Sequence, residues 1–268
     1  MSSRIVLRDS SQSRFGLSRT FVIVMTIFID ITGFGMIIPL LPFYAAEFQA
    51  GFAALGVLVA SFSIMQFIFS PMLGRISDNL GRRPVLLLSI LTSMVSFIVF
   101  AVANSFLMLL LSRIIAGMAT ETAVAQAYIA DITDETDRAK GIGRLGAAFG
   151  VGFVVGPVLG GPLSVFGFWA PGFAAAVLTL LNLLFVFFIL PESISHKDVP
   201  TRTASKFYDG FLRKLANAMG RPWIGPTLII SFIVTLAFAA VPVIVPLLGI
   251  SFFDFGSIEM SYVFMYIG

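Results

Sequence analysis

Cysteine is absent from this chain, histidine occurs once, and charged residues make up only 12% of its 268 positions. Without cysteine there is no disulfide framework, no thiolate metal site and no thiol redox chemistry. A charged fraction far below the roughly 25% of a soluble domain excludes an ordinary water-facing surface. What the sequence does have is apolar: 58% hydrophobic residues, 29 phenylalanines and a mean hydropathy of +0.99. Strands of a transmembrane barrel would alternate polar and apolar residues over about ten positions, and none do. The composition therefore specifies an all-α membrane protein, with segments of about 20 residues crossing a bilayer core of roughly 30 Å.

Spans are expected near 20–43, 52–73, 84–103, 105–129, 144–166, 171–190 and 223–248, with an eighth beginning near Glu259. Every Lys and Arg except Arg113 lies before the first span or in alternate loops, from Arg4, Arg8, Arg14 and Arg19 through to Arg221. The opposite loops carry Glu47, Asp254 and Glu259 and no cation. By the positive-inside rule, the N-terminus and the basic loops are cytoplasmic. The first apolar stretch is too long for a signal peptide and contains Asp30 and Pro39, so it reads as a retained span.

Three units follow: a six-helix transmembrane bundle over 1–190, a cytoplasmic connector over 191–222, and the start of a second, incomplete bundle over 223–268. In the connector, Phe207, Phe211, Leu215 and Met219 recur every fourth residue beside Lys206, Arg213, Lys214 and Arg221. That spacing suits an amphipathic helix on the membrane surface. An irregular linker is the alternative, because Gly210 and Gly220 weaken the helix. His196, among Ser and Lys, is expected to be solvated.

Between the second and third spans, Gly74-Arg75-Ile76-Ser77-Asp78-Asn79-Leu80-Gly81-Arg82-Arg83-Pro84 reads as a tight, charged turn. Gly74 and Gly81 permit close approach or positive φ, Asp78 can bond helix-terminal N–H groups or an Arg, Arg82 and Arg83 hold the turn in the cytoplasm, and Pro84 starts a helix. A capped turn and a conformational element are both consistent with this spacing. In the fifth span Gly152, Gly156 and Gly160 share one face, Pro157 removes a backbone hydrogen bond, and Gly161 follows. Simple helix packing explains this stripe, but a moving contact explains it better. Asp30, Arg113 and Glu121 sit inside spans, at about 2.5–3.5 kcal/mol each on the insertion scale, and such residues mark functional pathways by default; the alternatives are that Asp30 lies near a span end and touches headgroups, and that Glu121 makes a buried structural hydrogen bond. On one continuous helix Arg113 and Glu121 stand about 12 Å and 80° apart, so Arg113 needs a partner from another helix, for which Asp30 is a candidate. Gln126, Tyr128 and Asn182 are further candidate cavity linings.

The Gly74–Pro84 segment resembles the signature between the second and third helices of the major facilitator superfamily, with Ile76 where Leu is commoner. Leu109–Ala119, with Arg113 and Gly117, resembles that family's fourth-helix motif. Gly152-x-x-x-Gly156-Pro157-Val158-Leu159-Gly160-Gly161 resembles its fifth-helix antiporter motif, and Pro191-Glu192-Ser193 its phrase closing the sixth helix. Asp30-x-x-Gly33-x-Gly35-x-x-x-Pro39 and Ala127–Asp134, followed by Asp137-Arg138-Ala139, are similar to drug:proton antiporters of the tetracycline and multidrug type. The resemblance implies two six-helix bundles around a central cavity, of which this chain carries the first and the beginning of the second. It further implies proton-coupled efflux of amphipathic drug-like molecules across the cytoplasmic membrane by alternating access, with the Asp78 turn latching one state. The expected partners are a small-molecule substrate, protons, lipid and the remainder of a second bundle. No cofactor, metal, nucleic acid or enzymatic reaction is expected. A nutrient symporter of the same fold and a non-transporting fragment are the alternatives.

Overall fold

The structure is a computed structural model that describes residues 18–193 and 216–268. Its elements are α1 (Arg19–Ile37), a 3-10 turn (Ile38–Leu40), α2 (Leu41–Glu47), α3 (Phe52–Leu80), α4 (Arg82–Ala101), α5 (Phe106–Met118), α6 (Glu121–Ile132), α7 (Glu135–Leu163), a second 3-10 turn (Ser164–Phe166), α8 (Trp169–Ile189), α9 (Ile224–Phe253) and α10 (Ser257–Ile267). Seven stretches among the described residues are long and apolar enough to cross a membrane. The chain is a multi-pass membrane protein, and helices are its elements because backbone groups in lipid must find their partners within the segment. α1 and α2 form one span with the 3-10 turn at Pro39 between them, and α5 and α6 form another.

The helices pair α1 with α7, α3 with α5, and α4 with α8. Counted as spans, these are one with five, two with four, and three with six. Exchanging the first three spans for the last three turns the first pair into the second and leaves the third unchanged. That is the pairing an inverted three-helix repeat requires. Two apolar clusters fill the bundle. One, around Ile27, Leu86, Ile90, Ile129 and Val186, lies toward the basic end; the other, around Met36, Leu58, Phe97, Phe100 and Ala175, lies toward the opposite end. Phe67, Phe187 and Phe188 face outward, as lipid-contacting surfaces do, and α9 packs on the bundle mainly through its C-terminal half.

Three expectations are corrected. The charged segment after span two is not a turn: α3 continues through Leu80, with the Ser77 hydroxyl bonded to the Gly74 carbonyl, and the chain reverses at Gly81 alone. α7 starts at Glu135, well before 144, because the polar stretch from Asp137 to Arg144 is a helix projecting beyond the apolar core. The fourth span is broken, since Ala119 (φ −78°, ψ 128°) and Thr120 (φ −137°, ψ 51°) leave helical geometry. The helical arithmetic relating Arg113 to Glu121 therefore does not hold. Most of the connector, including His196 and Phe207–Leu215, and the N-terminal Arg4, Arg8 and Arg14 lie outside the described residues.

α1 lies on the glycine face of α7. A Cβ on Gly156 would stand 2.6 Å from the Thr32 carbonyl oxygen and 2.8 Å from Gly35 Cα, and one on Gly160 would stand 2.8 Å from Met36 Cα. These are backbone atoms, which cannot swing aside. Gly152 meets Phe28 and Ile31 in the same way, whereas Gly161 faces Ser261 on α10. Gly156→Ala should therefore lower stability by roughly 1–3 kcal/mol, the usual range for overpacking. Gly143→Ala, on the same helix with open space around it, should stabilise by up to about 1 kcal/mol through helix propensity. Thermal melting of both variants in detergent checks this; indistinguishable melting temperatures would mean that α1 and α7 are not held at this separation.

Candidate functional site

At the basic end, three segments distant in sequence are knotted together. The reversal at Gly81 has φ 102°, in the range that favours glycine. Beside it the Glu192 carboxylate caps α4, with Oε1 accepting from the Arg82 N–H (2.8 Å) and Oε2 from the Arg83 N–H (3.1 Å). A Cβ at residue 81 would fall 2.8 Å from Glu192 Cδ, so conformation and space both call for glycine. The Arg82 guanidinium donates from Nη1 to Asp78 Oδ1 (2.6 Å) and Ser77 Oγ (2.6 Å), and from Nε to Asp131 Oδ2 (2.9 Å). Ser193 Oγ also reaches Asp131 (3.2 Å). Arg83 donates to the Phe187 carbonyl (2.6 Å), its guanidinium over that residue's ring. The Tyr128 hydroxyl donates to the Pro191 carbonyl (2.8 Å). The end of α3, the end of α6 and residues 191–193 thus close on Arg82 from three sides.

Within the bundle a second polar cluster forms at the break in span four. Glu121 is the first residue of α6, where the free N–H groups of a helix start favour a carboxylate. It is buried, and the Ser93 hydroxyl of α4 donates to its Oε1 at 2.7 Å. Asp30 of α1 neighbours the same carboxyl and hydroxyl, while the Ser93 hydrogen bond itself goes to Glu121. Asp30 and Glu121 are therefore brought together with Ser93, which the sequence reading missed. The available signal was the run of small hydroxyls Ser89, Ser93 and Ser96 along one buried face of α4.

Arg113 is kept apart from this pair. It is 1% exposed, its guanidinium lies 5.3 Å from the centre of the Phe100 ring, and the phenol of Tyr44 is its polar neighbour. The expected pairing with Asp30 is not formed: Arg113 enters no ion pair among the described residues, and Nε and Nη2 lack hydrogen-bond partners. The break at 119–120 turns α5 and α6 onto different courses and separates the guanidinium from the carboxyls.

Arg113 borders a cavity of about 360 Å³, within the usual size range of small-molecule sites. Its walls come from α1, α3, α5, α7, α9 and α10 and are mostly apolar. Of the other suggested linings, Gln126 is exposed on α6. Tyr128 is committed to Pro191, and Asn182 is wholly buried with Nδ2 donating to the Thr26 carbonyl at 3.3 Å. Neither borders the cavity.

The profile of the Major Facilitator Superfamily matches residues 23–268. The class C tetracycline resistance protein of Escherichia coli is 44% identical over 176 residues, which are 64% of this chain and 44% of that protein. Multidrug resistance protein 2 of Bacillus subtilis (strain 168) is 32% identical over 222 residues, 82% of this chain and 54% of that protein. The crystal structure of the human organic anion transporter MFSD10 (TETRAN) superposes with a TM-score of 0.74 at 26% identity, covering 92% of this chain and 68% of that one. The chain spans about half the length of the curated relatives it matches. With its bundle pairing, its interior charges and this match over most of its length, the chain belongs to the Major Facilitator Superfamily.

Proposed function

We propose that this chain supplies the first bundle of a proton-coupled exporter of amphipathic drug-like molecules, working by alternating access. The observation that carries the reading is the Asp30–Ser93–Glu121 cluster. A serine hydroxyl has one proton to give and lone pairs to receive. Whichever carboxyl takes that proton, the other can bond to Ser93 only by bringing a proton of its own. The cluster is thus a slot that is complete with one added proton and incomplete without it, inside a span where ionisable groups mark transport paths. The similarity to tetracycline and multidrug resistance proteins supports drug-like substrates. The clustering of basic residues at one end supports a cytoplasmic N-terminus.

The knot around Arg82 suits a latch. Asp78 is its exposed member, 57% accessible, while Asp131 and Ser77 hold the same guanidinium from within. Asp78 is therefore the one that can be exchanged without loosening the bundle. The glycine contact between α1 and α7 is the surface on which one part rocks against the other.

Reconstituted vesicles of this chain joined to a complete second bundle test the reading. An imposed proton gradient should drive substrate against the proton flow, and Asp30→Asn and Glu121→Gln should each flatten the pH dependence of that exchange; wild-type movement of substrate with the protons, or unchanged pH profiles in both variants, refutes the proton site. Asp78→Asn should slow turnover roughly tenfold or more while the melting temperature stays within the small change expected of an exposed pair, about 0–1 kcal/mol. Undiminished turnover would reduce the knot to a structural cap.

A further inference from the structure

Arg113 has a full positive charge, two unpartnered N–H-bearing nitrogens and almost no access to solvent. Among the described residues it is also the one charged side chain bordering the interior cavity. Beside it are a phenol and a phenyl ring, Tyr44 and Phe100, neither of which carries a negative charge at neutral pH. A buried guanidinium without a counter-charge is costly, and its planar array of donors matches a carboxylate or phosphate bidentately. The rest of the cavity is built for the opposite chemistry. Phe34 and Phe62 lie with ring centres 5.1 Å apart on one wall, Phe149 and Phe153 stack on another, and Phe238 closes a third.

We infer that the cavity binds amphipathic organic anions, with Arg113 holding the anionic group and the aromatic walls enclosing an apolar body. This deepens the export reading by naming a substrate class, and it rests on that reading only for the direction of movement. The carboxyl cluster is not part of the anion site. Neither Asp30 nor Glu121 borders the cavity, so neither of these side chains forms part of the wall around Arg113.

Binding is measured without any gradient, on the purified 268-residue chain in neutral detergent, with dansyl-undecanoic acid and its methyl ester as fluorescent probes. The acid should bind about tenfold or more tightly than the ester, as expected for hydrogen bonds to a charged group. Arg113→Gln should bring the acid down to the affinity of the ester without changing the ester, and Arg113→Lys should restore part of the preference. Equal affinities of acid and ester in the wild type overturn the assignment with no variant needed. A preference that survives Arg113→Gln overturns the role of Arg113. Displacement of the acid by equimolar phosphatidylglycerol gives the guanidinium to a lipid headgroup and overturns the soluble-ligand assignment. Anion preference in a chain whose completed form exchanges nothing would sink the export reading alone; exchange without anion preference would sink this inference alone.

Discussion

The approach of α1 to α7 fixes most of what the interior can do. Gly156 and Gly160 let the Thr32–Met36 backbone come so near that no side chain fits between, and in lipid such contact replaces the hydrophobic drive that holds soluble helices together. At about 100° per residue, pinning Thr32 and Met36 against α7 turns Asp30 and Phe34 to the far side of α1. Asp30 is thereby delivered to Ser93 and Glu121, and Phe34 to the cavity. Gly33 completes the constraint from α4, since a Cβ there would press on the Phe97 ring at 3.1 Å. The small residues of α1 and α7 therefore act on the polar residues through orientation, without touching their chemistry.

The basic end obeys a different constraint. Guanidinium groups there lie close to the apolar core, and an arginine left half-desolvated needs partners on more than one side. Arg82 obtains them from two carboxylates and a hydroxyl contributed by α3 and α6, while Glu192 neutralises the exposed N–H groups that begin α4. The consequence is mechanical. Spans two, three, four and six are tied at one end by hydrogen bonds that break as discrete units, whereas the glycine contact between α1 and α7 carries no hydrogen bond between side chains. The proposed alternating access uses this difference: the hydrogen-bonded end as the switch and the glycine contact as the sliding surface.

Much of this was legible in the sequence, and the part that was not has identifiable causes. Span number, the unequal distribution of cations and the glycine face of α7 follow from composition and four-residue spacing, which are local properties. The extension of α3 through Asp78 was hidden because Gly74 and the polar run after it look like a turn, while the contacts of Arg82 back to Ser77 and Asp78 exist only in the folded chain. The break at Ala119–Thr120 has no proline to mark it. It is stabilised by Gly117 packing against the Phe62 backbone of α3 and by Glu121 meeting Ser93, both long-range contacts. Glu192 and Asp131 stood in recognisable phrases, but their common partner is known only once the chain is folded.

The separation of Arg113 from the two carboxyls is the feature of the interior on which the proposed exchange depends. Had Arg113 and Asp30 closed into a buried ion pair, each would have satisfied the other, and removing either partner from such a pair commonly costs about 3–5 kcal/mol. A site locked by that energy is a structural bolt. With the break in span four holding them apart, the cation is left facing an apolar cavity and the carboxyls are left facing one hydroxyl. In the proposed function, a negative group on the substrate answers the guanidinium, whose Nε and Nη2 lack partners, and a proton answers the carboxyl pair that shares the Ser93 hydroxyl. In the proposed exchanger, two such sites on opposite sides of one helix break, both bordered by α1, give occupancy of one a physical route to influence the other.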